Sequence, residues 1–397
     1  MNKRSFLICL IVILPFFVNA QTINVLLPEE ANKEYAFVLS KGIRQDTIQK
    51  GTLSFSGSVT IHIPDKDKGY TGMGSLQIKD NAPFNFIISG AGFDVEQGAD
   101  SKCVFKNSPE NAYLYSVLQD RVTPSANSAR YAPVFIDMVR YMQQLDRAVQ
   151  TGNLKEKSVA RMYALQKLDI DKLYTSGIWY NVIDGLVRLN TDQQTLGQNM
   201  TKILERIKSQ EVYEHLVDNL ITITQQFGLD DAFDIIIPYV QQSGRIETPR
   251  ENIFMAFAMA KVRRGMTAPR IEGLNPTIDA SNAEKTLLVF YQPDCENCHI
   301  QLEQLIKIYP KLNQMGVRVV SLSSDHQKES FEKDRKRFPW AENDKLCDFQ
   351  GFGGKNFINY GIMGTPTFFL IDKNGIIIRR YALIADIDFF GEKTNEK

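Results

Sequence analysis

The sequence predicts a multidomain protein in which an all-β, sandwich-like segment is followed by an all-α segment and then by an α/β segment. Short apolar runs separated by turn residues fill the first quarter of the chain, and apolar residues at helical spacing fill the middle. Strands then alternate with helices towards the C-terminus. A chain of 397 residues is long enough for several domains. We expect these domains to cover residues 21–106, 107–262 and 263–397.

The composition is that of a soluble globular protein, with 43% hydrophobic and 23% charged residues. The 46 basic residues are balanced by 46 acidic residues, so the chain has no overall positive field that would favour nucleic acid. The one short cluster of basic residues, Lys333–Arg337, is predicted to be the solvated face of a helix. We therefore expect no nucleic-acid partner.

The N-terminus has the pattern of a secretory signal peptide. Two basic residues precede the apolar stretch Phe6–Val18, and signal-peptidase cleavage fits between Ala20 and Gln21. The apolar stretch is shorter than the ~20 residues that span a bilayer, which disfavours an uncleaved membrane anchor. Residues 1–20 are therefore predicted to be removed and the mature protein to be periplasmic.

The β-rich segment contains short runs with strand-forming residues, such as Tyr35–Leu39, Val59–Ile63 and Phe84–Ile88. Turn residues separate them, as expected for a small antiparallel sandwich or barrel. His62 alternates with isoleucines and has no second ligand nearby, so it is expected on the polar face and not at a metal.

The middle segment has the period of helices. Val212–Phe227 carries apolar residues at helical spacing, and Gly228 follows as a candidate for the left-handed residue that ends a helix. Further helices are predicted at Tyr131–Val149, Lys155–Leu168, Ile178–Leu189 and Ala232–Val240.

The last third begins after a predicted linker, Arg264–Asn282, and continues as a βαβ pattern with a terminal hairpin around Asp372–Gly375. The predicted strands are Thr286–Gln292, Val317–Leu322, Thr367–Asp372 and Ile376–Tyr381, and the predicted helices are Cys298–Leu312 and Glu329–Phe338.

The cysteine pair Cys295 and Cys298 lies between the first of these strands and the first turn of the following helix. Unpaired N–H groups and the positive end of the helix dipole stabilise a thiolate at such a position. Cys295 is therefore the predicted nucleophile. Cys298 lies one turn further in, where a second thiol can displace a mixed disulfide by forming the intramolecular one.

The segments Leu287–His299 and Tyr360–Gly375 together resemble the thioredoxin superfamily, specifically the exported TlpA/ResA-like thiol-disulfide oxidoreductases. The resemblance implies a thioredoxin-like fold for residues 263–397. It also implies that Pro366 is cis and lies against the cysteine pair, and that Thr365 offers backbone groups to a substrate peptide.

Two departures from the family pattern concern the chemistry. Asp294 stands where many thioredoxins have tryptophan, and Val289 replaces a buried carboxylate, so the proton relay must come from elsewhere. By family position Asp325 or His326 is the candidate; the alternative is that the two are an exposed loop pair. Acidic neighbours of Cys295 disfavour further negative charge, whereas a protonated His299 would do the reverse.

The expected function is thiol-disulfide exchange with cell-envelope proteins in the reducing direction, with a membrane-bound electron donor implied only by the resemblance. No cofactor and no metal are expected. Alternatives are a partner-binding envelope protein whose thioredoxin-like domain is regulatory or inactive, and a thiol peroxidase of related fold. The segment Cys295–His299 also matches the attachment motif of c-type haem. Cys295, Cys298, His299 and Cys347 are a further alternative as zinc ligands, with a weak spacing for that role. Cys103 and Cys347 are expected to be inert, although a bridge between them stays open.

Overall fold

A computed structural model of the chain describes residues 21–98, 103–118, 128–190 and 192–389. Residues 1–20, the predicted signal peptide, lie outside this part. The chain divides into two compact units, one of Met1–Asn190 with Arg206–Val212 and the other of Thr191–Glu205 with Tyr213–Lys397. None of the helices in the described ranges combines the length and apolar character needed to cross a membrane. The domain borders at 106/107 and 262/263 stay predictions.

The first unit begins with eight described strands in two four-stranded sheets. The strands are β1 (Thr22–Leu26), β2 (Glu34–Lys41), β3 (Arg44–Thr52), β4 (Ser58–His62), β5 (Thr71–Ile78), β6 (Phe84–Ser89), β7 (Phe93–Gln97) and β8 (Cys103–Lys106). One sheet has the order β4-β1-β7-β8 and the other β3-β2-β5-β6.

The expectation of a purely antiparallel arrangement is wrong for one pair of strands. β1 and β7 run parallel, with Val25 opposite Val95. Strands of the other sheet lie between these two in sequence, so no short hairpin constrains their relative direction. The other pairs in both sheets are antiparallel.

One apolar core is shared by side chains from both sheets, including Ile23, Phe37 and Phe86, which are fully buried. The alternation predicted for β4 is confirmed, because Ile61 is buried and His62 is exposed. The inward positions of the strands therefore form a single hydrophobic layer.

Nine described helices follow. They are α1 (Pro109–Leu118), α2 (Ala132–Thr151), α3 (Leu154–Gln166), α4 (Ile170–Tyr174), α5 (Trp179–Leu189), α6 (Gln193–Arg206), α7 (Gln210–Gln226), α8 (Asp230–Ser243) and α9 (Glu251–Met259). Gly228, just beyond α7, has a φ of 62°, which confirms the predicted left-handed position.

The C-terminal region is an α/β structure around one five-stranded sheet of order β11-β10-β9-β12-β13. Its elements are β9 (Lys285–Tyr291), α10 (Glu296–Gln314), β10 (Val317–Ser323), α11 (Lys328–Asp334), β11 (Lys345–Cys347), α12 (Lys355–Asn359), β12 (Thr367–Asp372) and β13 (Ile377–Tyr381). β9 pairs with β10 in parallel and with β12 antiparallel, and β12 and β13 form the predicted hairpin.

α11 is shorter than the helix predicted for Glu329–Phe338. It ends at Asp334, a 3₁₀ turn follows over Arg335–Arg337, and Phe338 is extended with ψ of 129°. Phe338 precedes Pro339, whose ring disfavours the helical conformation for the residue before it.

The C-terminal sheet is buried on both faces. On one face Leu287 and Val289 of β9 pack with Leu302 of α10, and on the other Leu288 packs in a core that includes Phe357 of α12. The segment predicted to be a linker also belongs to this second core. Its three buried apolar side chains are Ile271, Leu274 and Ile278.

Candidate active site

Cys295 is the N-cap residue of α10. Its backbone is extended, with φ of −92° and ψ of 111°, and its Sγ accepts a hydrogen bond of 3.2 Å from the backbone N–H of Cys298. A side-chain acceptor at this position pairs with one of the free N–H groups of the first helical turn. The same N–H groups and the helix dipole favour negative charge on this sulfur.

The two cysteines differ in exposure. Cys295 is partly exposed, whereas Cys298 is 1% exposed and packs in a core with Tyr291 and Leu302. Burial raises the pKa of the Cys298 thiol to about 11, and its interaction with the Cys295 side chain adds to the rise. Both are free thiols. The first sulfur is therefore accessible from solvent, while the second is held protonated behind it.

Thr365 lies directly beside the first cysteine. The Cys295 Sγ donates to the Thr365 carbonyl at 3.6 Å, and the peptide bond to the buried Pro366 is cis. Pairing of β12 with β9 brings them together, because Thr367, the first residue of β12, is opposite Phe290 near the end of β9. Two segments about seventy residues apart in sequence thus meet at one edge of the sheet.

Asp325 and His326 have different environments. Asp325 is buried; its carboxylate accepts a 3.0 Å hydrogen bond from Ser323 Oγ, and its carbonyl lies 3.5 Å from the Cys347 sulfur. His326 is exposed and packs against Gly351. The alternative of an exposed loop pair is therefore wrong for Asp325. Among the described contacts no hydrogen bond joins either residue to the cysteine pair.

His299 is held by a neighbour that the sequence did not indicate. Its Nδ1 lies 3.2 Å from a guanidinium nitrogen of Arg337, and the same nitrogen donates to Asp334 Oδ1 at 2.9 Å. Arginine can only donate, so the His299 Nδ1 is the acceptor when this contact is a hydrogen bond. The contact joins His299 of α10 to the ion pair between Arg337 and Asp334.

Asp334 is the mostly buried carboxylate that sequence reasoning missed. Its side chain is 13% exposed. Burial raises the pKa of Asp334, while the positive charges of Arg337 and His299 oppose the rise. Buried Phe331 lies three residues earlier on the same helical face, which was the available signal. The run Lys333–Arg337 is thus not a uniformly solvated face.

The hydroxyl of Tyr291, like the Asp334 carboxylate, was not among the predicted site groups. It is buried, and the side chains of Ser323 and Asp334 act on it. Burial first, and then the charge of Asp334, hold the pKa of Tyr291 far above its usual range. Asp334 and Tyr291 therefore influence each other's protonation.

We expect the stability of an Asp334→Asn variant, relative to the wild type, to rise as pH increases through and above the usual carboxyl range. The raised pKa means that the folded state binds this proton more tightly than the unfolded state, so wild-type stability is lost as pH rises through the carboxyl range. Asparagine does not titrate, so its contribution to stability does not change with pH. Urea unfolding at several pH values measures the difference.

Glu342→Gln is the matched control with the opposite sign. Hydrogen bonds from Lys345 and then Arg335 lower the pKa of Glu342, so its contribution is present at neutral pH and lost on acidification. Its stability relative to the wild type should fall with rising pH. Parallel pH trends for the two variants would contradict the assignment of Asp334 as a destabilised buried carboxylate.

The two remaining described cysteines are both free thiols. Burial raises the pKa of Cys103, and burial raises the pKa of Cys347 to about 11. A thiol that stays protonated is a poor nucleophile. In the described ranges no group of three or more His, Cys, Asp or Glu side chains is arranged as a metal site.

Comparisons with known proteins concern the C-terminal region. Residues 282–377 match the family model described as Thioredoxin-like. Thiol-disulfide oxidoreductase ResA of Bacillus thuringiensis subsp. konkukian is 27% identical over 146 residues, which cover 34% of this chain and 75% of the relative. The protein of the same name from Bacillus anthracis shows the same identity and coverage.

Solved structures that are similar to part of this chain include two bacterial proteins. A thioredoxin-like protein from Parabacteroides distasonis is 23% identical, with a TM-score of 0.28, over 30% of this chain and 87% of that one. A thiol-disulfide oxidoreductase from Bacteroides fragilis is 24% identical, with a TM-score of 0.25, over 29% of this chain and 88% of that one.

Proposed function

We propose that this chain, whose C-terminal region is a thioredoxin-like domain related to ResA, is an exported thiol-disulfide oxidoreductase that acts on cell-envelope proteins through Cys295 and Cys298. One observation carries the proposal. A partly exposed sulfur caps the N-terminus of α10, and a buried protonated thiol lies one helical turn behind it. This is the geometry that sequential disulfide exchange requires.

The reaction proceeds in two displacements. The Cys295 thiolate attacks one sulfur of a substrate disulfide, forms a mixed disulfide and expels the other substrate sulfur as a thiolate. Cys298 then loses its proton, attacks the Cys295 sulfur and expels the second substrate thiolate, which takes up a proton. Two electrons pass to the substrate, and the enzyme ends with a Cys295–Cys298 disulfide. A dithiol reductant in the envelope must then reduce this disulfide.

The contact with Thr365 supports a protein substrate. Its carbonyl faces the Cys295 sulfur at 3.6 Å, at the start of the segment that leads into β12. An extended peptide that binds along this segment by backbone hydrogen bonds would bring its own cysteine to the same sulfur. The thiol or disulfide of a folded partner would therefore need to lie in an exposed, extended stretch.

The charges around the pair favour the reducing direction. Asp294 and Glu296 are exposed on either side of Cys295 and oppose additional negative charge. The raised pKa of Cys298 makes the fully deprotonated dithiol costly. Strong oxidants of this fold owe their potential to a stabilised thiolate, so we place this couple on the reducing side.

Mass spectrometry of the full mature chain in graded glutathione buffers tests the proposal. We expect an intramolecular Cys295–Cys298 disulfide to form and to disappear at a single midpoint potential. The rate of insulin reduction should change with buffer potential at the same midpoint. A pair that never joins under any buffer, in a protein without insulin turnover, would contradict the assignment and favour a partner-binding protein with an inactive domain.

A further inference from the structure

The second compact unit contains a cavity of about 450 Å³ that the redox chemistry does not use. Residues from α8, the end of α9 and β13 line it. Its apolar part is formed by Phe233, Met259 and Val262, all of which are buried. The volume lies in the range of about 300–1,000 Å³ that holds small organic ligands.

The rim of the cavity is charged with both signs, through three aspartates and four arginines. One pair is mutually satisfied, since Arg380 lies 3.1 Å from the Asp230 carboxylate. The guanidinium of Arg263 is occupied by the backbone carbonyl of Asp234 at 2.9 Å. These contacts stabilise the fold around the cavity. The other charged side chains of the rim are not paired in this way.

The cavity groups that form no ion pair carry charges of opposite sign. In the described part of the chain Arg264 and Arg379 form no salt bridge, and the Asp234 carboxylate has no hydrogen-bond donor. Asp234 is only partly exposed, and burial raises its pKa to about 6, with Arg263 opposing the rise. A desolvated carboxyl in a cleft is typical of a binding site. The ionisable groups that act on Asp234 are Arg263, Asp230, Arg380 and Asp231.

The mixed charges of the rim favour a ligand that carries charges of both signs. A simple anion would be repelled by Asp231 and Asp234, and a simple cation would be repelled by Arg264 and Arg379. A molecule that carries an ammonium and a carboxylate on one carbon offers a partner to both sets, and an apolar side chain would cover the buried part. Free α-amino acids have this combination, whereas the two ends of a peptide are further apart.

We propose that the cavity binds a free α-amino acid with an apolar side chain. The ammonium lies against Asp231 and Asp234, the carboxylate is held by Arg264 and Arg379, and the side chain contacts Phe233 and its apolar neighbours. This function is independent of the dithiol.

Isothermal titration calorimetry on the full mature chain tests the proposal with three probes of one shape. L-leucine carries both charges, 4-methylpentanoate lacks the amine, and 3-methylbutylamine lacks the carboxylate. We expect L-leucine to bind at least about tenfold more tightly than either of the others, which corresponds to ~1.4 kcal/mol. The affinity for L-leucine should decrease as pH is lowered from neutral to about 5, because Asp234 takes up a proton in this range.

Two variants assign the charged contacts. Asp234→Asn should remove the preference for L-leucine over 4-methylpentanoate, and Arg379→Gln should remove the preference over 3-methylbutylamine. Arg140→Gln, which changes an exposed arginine of the first unit, should leave all three affinities unchanged. Thermal unfolding of each variant checks that it is folded.

Two outcomes would overturn the proposal. Equal binding of L-leucine and 4-methylpentanoate to the wild type would mean a simple anion site. No heat with any probe up to about 10 mM would mean that the charges only stabilise the fold. Neither result would affect the proposed redox function, which the cysteine titration tests separately.

Discussion

Replacing Cys295 by serine should reduce insulin reduction by at least about 10³-fold, to the level without enzyme. The thiolate is the nucleophile in disulfide exchange, and a serine hydroxyl cannot replace it. Serine is itself a good N-cap residue, so it can accept the same hydrogen bond from the N–H of Cys298 and keep the start of α10 intact. We therefore expect a loss of chemistry with a change in stability of less than ~0.5 kcal/mol.

Cys347→Ser is the matched control for this experiment. It also removes a thiol from the same unit, but one whose pKa is raised to about 11 by burial. Its insulin turnover should equal that of the wild type. If Cys295→Ser kept its turnover while Cys347→Ser lost it, the nucleophile would be Cys347 and the proposed roles would be wrong.

Replacing Cys298 by serine should convert the enzyme into a trap. Without the second thiol, the mixed disulfide between Cys295 and a substrate cannot be resolved internally, so it should accumulate instead of turning over. Non-reducing gels and mass spectrometry of envelope extracts incubated with the variant measure the adduct. The linked proteins would identify the physiological substrates.

The environment of Cys298 calls for a second variant. The residue is 1% exposed, and a buried hydroxyl without a partner costs about 1–3 kcal/mol. Cys298→Ala avoids that cost and should trap the same proteins. The double variant Cys295→Ser/Cys298→Ala should trap none, and equal adduct on the double variant would show that another thiol forms it.

The position of the cysteine pair was predictable because it depends on local sequence. An apolar run before Cys295 and apolar residues at helical spacing after Cys298 define a strand followed by a helix. The left-handed residue that follows α7, Gly228, was predictable for the same reason. In each case the residues that determine the structure lie within one or two turns of the feature.

The neighbours of the pair were less predictable. Asp334 lies in a charged run whose composition indicates a solvated surface, yet packing of Phe331 turns this carboxylate inward. The bond between Arg337 and His299 joins residues 38 positions apart. No periodicity in the sequence carries information about such a contact, because it depends on how the turn Arg335–Arg337 folds towards α10.

The sequence by itself determined that a β-rich segment, a helical segment and an α/β segment follow one another, and that Cys295 lies at a helix N-terminus, since these follow from local periodicity and capping. Only the tertiary structure decided that β1 and β7 run parallel and that Thr365 lies against the sulfur. It also decided that the segment after Arg264 packs in the core. The physical reason is that strand pairing and burial depend on contacts between distant segments, whose partners local sequence does not specify.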